Sequence, residues 1–167
     1  MSTSTTLRAG NAGDSAAAHW ANEQGYIIRF THQPTGHVVE FPATLQSFSD
    51  IHTPKFSEQY GADTMDPTII LNSADRKMDF SFTVLSSSLE EARHNTQCVN
   101  LLIQMLYPLL DGNGAILGNP FIIIEAMNLM QSAVESSGIL CTINNIDYNM
   151  DFESGVISHD NGELHPI

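Results

Sequence analysis

The chain has 167 residues, of which 42% are apolar and only 15% charged, with a formal net charge of −13. A chain of this length buries roughly 70% of its unfolded surface on folding, enough for one independent core. The composition excludes a charge-rich disordered segment, and no apolar run approaches the ~20 residues of a membrane span. The charge is unevenly placed. All six basic residues (Arg8, Arg29, Lys55, Arg76, Lys77, Arg93) lie in the first 93 positions, and the remainder carries eight acids and no Lys or Arg. Phosphate binding needs clustered cations, and only Arg76-Lys77 is a pair, so high-affinity DNA binding is not expected.

Residues 1–24 are poor in large apolar side chains and read as a mobile arm. They lack the apolar core of a secretory signal. Two β-rich runs, Tyr26–Phe30 and His37–Phe41, flank a Pro34-Thr35-Gly36 turn and predict a hairpin. Residues 50–67, with Pro54, Gly61 and Pro67, read as a long polar connection whose aromatics, Phe56 and Tyr60, need something to pack on. A short strand over Thr68–Leu71 and a turn over Ala74–Lys77 follow. Met78, Phe80, Phe82 and Val84 then alternate with polar residues, the strongest strand pattern in the chain.

Ser88-Leu89-Glu90-Glu91 is a capping box that opens a helix closed by Pro108. Its expected buried stripe is Leu89, Ala92, Thr96, Val99, Leu102/Ile103 and Leu106. Beyond the Asp111–Gly114 loop, Pro120 opens a strand over Phe121–Ala126. Ile139 to Ile143 forms another, and a change of phase after Asn144-Asn145 predicts a β-bulge before Ile146, Tyr148 and Met150. The order of elements predicts an α+β domain over residues 25–167, an antiparallel sheet or split β-barrel with one long helix packed on it.

Candidate chemistry is sparse. Asp147-x-Asn149-x-Asp151-x-Glu153 resembles half a calcium loop, but Phe152 and Ser158 stand where the glycine and the closing glutamate belong. Its carboxylates alternate with Tyr148, Met150 and Phe152, as on the wet face of a strand. Cys98 and Cys141 sit in acidic surroundings that oppose thiolate formation and read as packing residues. No nucleophile elbow and no phosphate-cradling loop with a lysine is present. The expectation is therefore no enzyme, no cofactor and no metal.

Phe41-Pro42-Ala43-Thr44-Leu45-Gln46-Ser47-Phe48-Ser49-Asp50 resembles the FPAF-x-TSFSD opening of a group of phage tail proteins found in baseplates and tail tubes, especially those of marine myoviruses. The resemblance continues through Tyr60-Gly61, Met65-Asp66-Pro67, the strand Arg76–Val84, Leu89–Ala92 with Leu106-Tyr107-Pro108, and Asp151–Gly155. It spans roughly residues 38–165. Two departures stand out: an insertion over Gly61–Thr64 with no Arg before Met65, and a chain end at Leu164–Ile167 where the family continues into a closing strand.

The resemblance implies a tail-tube type of fold and a structural virion protein, a tube initiator or hub ring of a contractile tail assembled in the host cytoplasm. Such rings are usually sixfold. Its partners would be other copies of itself and neighbouring tube, hub and baseplate proteins, with transient contact to passing DNA past an acidic wall. Phe48, Phe56, Tyr60 and Met65 are the expected subunit contacts. An adaptor or glycan-binding module of the tail is the alternative.

Overall fold

The computed structural model describes residues 4–9, 20, 23–59, 68–127, 129–130, 138–153, 155–158 and 164–166. The protein is mixed α+β, mostly strands with one long helix. Within the span 25–167, expected as one domain, the contacts gather into two compact units. One comprises residues 1–44 and 84–167, the other residues 45–83.

The first unit is built on a five-stranded sheet. Its strands are β1 (Thr6–Arg8), β2 (Ile27–His32), β3 (Val38–Pro42), β8 (Ile122–Ala126) and β9 (Ile139–Cys141), in the order β1-β3-β2-β8-β9. The expected hairpin is β2 and β3, which pair antiparallel from Ile27↔Pro42 to Thr31↔Val38. Their turn closes on Gly36, whose φ of 71° lies in the left-handed region that glycine enters without a steric penalty. The hairpin's other side pairs with β8, which also pairs antiparallel with β9.

The irregular arm expected over 1–24 is corrected at Thr6–Arg8, where β1 pairs parallel with β3. The reason is edge satisfaction. Val38 N–H donates to Thr5 O (2.9 Å) and Ala9 N–H to Glu40 O (2.7 Å), so a three-residue strand fills an edge that β3 would otherwise present bare. Residues 10–19 and 21–22 of that arm lie outside the described residues.

Alternation sorts the sheet's two faces. Ile28, Phe30, His32, Val39, Phe41, Ile122, Ile124 and Ala126 are buried on one face, and Phe30 and Phe41 meet edge to face at 6.0 Å. Each large apolar side chain so buried contributes about 1.5–3 kcal/mol of transfer free energy. Helix α1 (Leu89–Gln104) lies against β1 and β3. Ser88 caps it as expected, its hydroxyl accepting from Glu91 N–H at 3.2 Å. The return half of the box is shifted by one residue, because Glu91 accepts from the N–H and hydroxyl of Ser87 at 2.8 and 2.7 Å. The buried stripe is rotated from the expected one to Glu91, Ala92, Asn95, Cys98 and Leu102, continued by Met105. Two polar residues enter it because each has a partner. Glu91 holds Ser87, and Asn95 donates to Ser86 Oγ at 2.9 Å.

Two small hairpins complete this unit. One joins β6 (Leu109–Leu110) to β7 (Ile116–Gly118), and its turn is held by Asp111, whose Oδ1 accepts from Asn113 and Ala115 N–H at 2.8 Å each. The other pairs β10 (Val156–Ser158) antiparallel with β11 (Leu164–Pro166). The strand expected through Met150 stops at Cys141, and residues 142–153 have no regular structure. Cys141 faces Ile122, the first residue of β8. Further pairing would run onto Pro120, which has no N–H to give a ladder.

The second unit is a two-stranded ribbon of β4 (Thr44–Gln59) and β5 (Thr68–Thr83), each 16 residues long. At ~3.3 Å per residue such strands extend about 50 Å. The expected polar connection over 50–67 is therefore strand as far as Gln59, and the expected turn at Ala74–Lys77 lies inside β5. Pro54 is tolerated because each strand of a two-stranded ribbon is an edge. The polar run Asp75-Arg76-Lys77 is kept extended by cross-strand charges described below.

Candidate functional site

The ribbon is the element least able to explain its own existence. Neither strand contains a buried residue. Apart from Ser57, its half-buried side chains gather near the base, at Leu45, Phe48 and Asp50 on β4 and at Met78, Phe80, Phe82 and Thr83 on β5. Phe80 and Phe82 share one side of β5 with their rings stacked at 6.1 Å. Further out, Ile51, Phe56, Ile69, Ile70 and Leu71 are exposed, Phe56 at 59%.

What holds the strands together is polar. Ser47 and Ser81 hydroxyls meet at 2.6 Å, and Ser57 donates to Asn72 Oδ1 at 2.9 Å. Arg76 grips Asp50 with two bonds, Nε to Oδ1 at 3.0 Å and Nη2 to Oδ2 at 2.6 Å. That guanidinium holds the Asp50 carboxyl below the usual carboxylate range. Lys55 pairs with Asp75, and His52 lies 3.2 Å from Asp50. As residue numbers rise on β4 they fall on β5, so the strands are antiparallel. Exposed pairs of this kind set register more than they stabilise.

Of the four expected contact residues, the structure places Phe48 half-buried near the ribbon's base and Phe56 exposed on its outer half. Tyr60 and Met65 lie outside the described residues. The first unit has exposed apolar groups of its own. The β6–β7 hairpin presents Leu110, Ile116 and Leu117, and the irregular stretch after β9 presents Tyr148, Met150 and Phe152.

The sheet's outer face carries a feature that sequence reasoning missed. Arg8, Glu40, Arg29 and Glu125 are register neighbours across β1, β3, β2 and β8. Arg29 donates to Glu40 at 2.7 Å and to Glu125 at 3.0 Å, and Arg8 lies 3.4 Å from Glu40. Glu125 also accepts from Gly138 N–H at 3.2 Å. The hydrogen bond that Arg29 donates to Glu40 and the charges of both carboxylates push the Arg29 pKa still higher. Its signal was one charged residue at the outward position of each strand, and only knowledge of the strand order turns four separate charges into a ladder.

The other sequence candidates are locally engaged. Asp147 accepts from Asn145 at 3.0 Å, and Asp151 accepts from Glu153 N–H at 2.8 Å. Among the described residues no group of three or more His, Cys, Asp or Glu is arranged to hold a metal ion. Cys98 is fully buried, and burial pushes its thiol up to about 11. Cys141, also pushed up by burial, donates weakly to Ile122 O at 3.5 Å. Among the described residues no helix is long and apolar enough to cross a membrane. No protein-family model matches the chain, and neither does any curated protein or solved structure.

Proposed function

We propose that this chain is a structural protein of a phage tail, a ring subunit of the inner tube or baseplate hub that assembles with copies of itself. The observation that carries the reading is the ribbon. A lone two-stranded hairpin is marginal in water and needs a third strand or a packed face. Here 16-residue strands with exposed Ile, Leu and Phe side chains have neither within their own unit. An assembly supplies both, and edges paired between subunits are closed to stray aggregation. The ordered series of motifs from Phe41 to Gly155 adds the tail identity and the tail-tube type of fold to that physical requirement. The net charge of −13 suits a wall that DNA must slide along without sticking.

Electron microscopy of the particle that co-purifies with the protein tests this reading. The expected image is a ring at the junction of tail and baseplate, with the ribbon engaged by neighbouring copies. A protein that stays monomeric at every concentration in sedimentation, and occurs in no tail particle, would remove both the assembly and the tail identity.

A further inference from the structure

The short strand β1 is tied at both ends to histidines on other elements. At its start, Thr5 N–H donates to Nδ1 of His37, the residue before β3, at 2.9 Å. At its end, Nε2 of His94 on α1 bonds the carbonyl oxygen of Arg8. The two ties differ in kind. A carbonyl oxygen only accepts, so His94 donates, and a protonated ring does that as well as a neutral one. Nδ1 of His37 must accept, which only an unprotonated nitrogen can do.

We propose that β1 is a proton-released latch over the edge of β3, held while His37 is neutral and let go when His37 takes up a proton. Protonation puts an N–H at Nδ1 opposite the Thr5 N–H, so a hydrogen bond becomes a clash of donors. The strand then keeps its three-residue parallel ladder, the tie to His94, the Arg8–Glu40 pair and its packing against α1.

Among the described residues, the charged and titratable groups that meet the latch lie on β1, β3, the β2–β3 turn and α1. Arg8 on β1 pairs with Glu40 on β3. His32 on β2 is linked to the same turn, its Nδ1 lying 2.7 Å from Thr35 Oγ1, the hydroxyl that also faces His37 N–H at 3.4 Å. On α1, His94 reaches β1, whereas the Glu91 carboxylate is turned to Ser87. A charge on His37 therefore sits beside His32, whose own protonation is opposed first by burial and then by that neighbour. Release bares one side of β3, and a bare edge is a template for a strand from another chain.

Backbone amide exchange of the peptide around residues 4–9, corrected for the intrinsic effect of pH, tests the latch on the isolated full-length chain. It reads the latch whether or not the protein belongs to a tail. Between about pH 7.5 and about pH 5, protection at Thr6–Arg8 is expected to fall by about tenfold, while that of α1 stays unchanged. His37→Asn places a non-titrating oxygen near the position of Nδ1, and its protection is expected to stay high at both pH values. His37→Ala is expected to show low protection at both. Equal loss on acidification in wild type and His37→Asn would overturn the proposal, as would no loss in wild type or a His37→Asn chain already unprotected at neutral pH.

Discussion

The two units of this chain solve the strand problem in opposite ways. In the first, five short strands of three to six residues form one sheet, and its three central strands, β3, β2 and β8, bury every second side chain on one face. In the second, two strands of 16 residues bury nothing and are stitched by hydroxyls and ion pairs. The first resembles a self-sufficient core. The second resembles half of something, and the difference teaches that strand length and strand stability are separate matters. Ladder hydrogen bonds extend a ribbon, but burial on one face is what lets it stand alone.

The sharpest way to break this comparison is to delete a ring from each unit. Phe41→Ala removes a side chain 1% exposed that meets Phe30, and should cost about 3–5 kcal/mol in urea unfolding followed by circular dichroism. Phe56→Ala should change that stability by less than about 0.5 kcal/mol, yet weaken self-association in sedimentation velocity. Equal effects of the two on stability would mean that the ribbon has a core of its own.

A smaller loss is expected on the sheet's outer face. Arg29→Met leaves Glu40 and Glu125 without their shared cation. Because the Arg29 side chain is 43% exposed and water screens the pair, the cost should be about 1 kcal/mol in the same unfolding assay. A loss of about 3 kcal/mol would show that the ladder acts as a buried network.

Acid should affect the first unit through His32. This imidazole is 4% exposed, its Nε2 has no hydrogen-bond partner among the described residues, and burial holds its pKa below the ordinary 6.5. The folded state thus binds fewer protons than the unfolded state around and below that value. The stability is fully present above pH 6.5 and is lost as pH falls through the lower folded value. The melting temperature should therefore drop on acidification, and His32→Leu should flatten that slope. The smallest effect belongs to the ribbon's surface. Arg76→Gln should leave the unfolding midpoint unchanged at high salt, where screening has already weakened its pairing with Asp50.

Local signals were legible where a single residue decides the outcome. Ser88 announces the helix start, Gly36 the hairpin turn and Pro120 the limit of β8. The helix's buried face was misread because Glu91 and Asn95 look like surface residues until Ser87 and Ser86 are seen beside them. The ribbon was misread because Pro54 and the Asp75-Arg76-Lys77 run carry the chemistry of turns. Only partners across the ribbon, Asp50 for Arg76 and Lys55 for Asp75, make them strand. The charge ladder depends on which strands are neighbours, and that order is a non-local property of the chain.

One glycine gives experimental access to the sheet's far edge. A Cβ on Gly138 would collide with the Ile124 carbonyl and the Glu125 side chain just where β9 begins. An added methyl is therefore a wedge between β8 and β9, set against the Ile124 backbone and the Glu125 side chain. It would lift away the edge strand, together with the stretch that follows it, and leave the aromatic core between β2 and β3 intact. A difference of one carbon atom thus separates a closed sheet from one with a hinged margin, which makes position 138 the place to detach that margin without melting the fold.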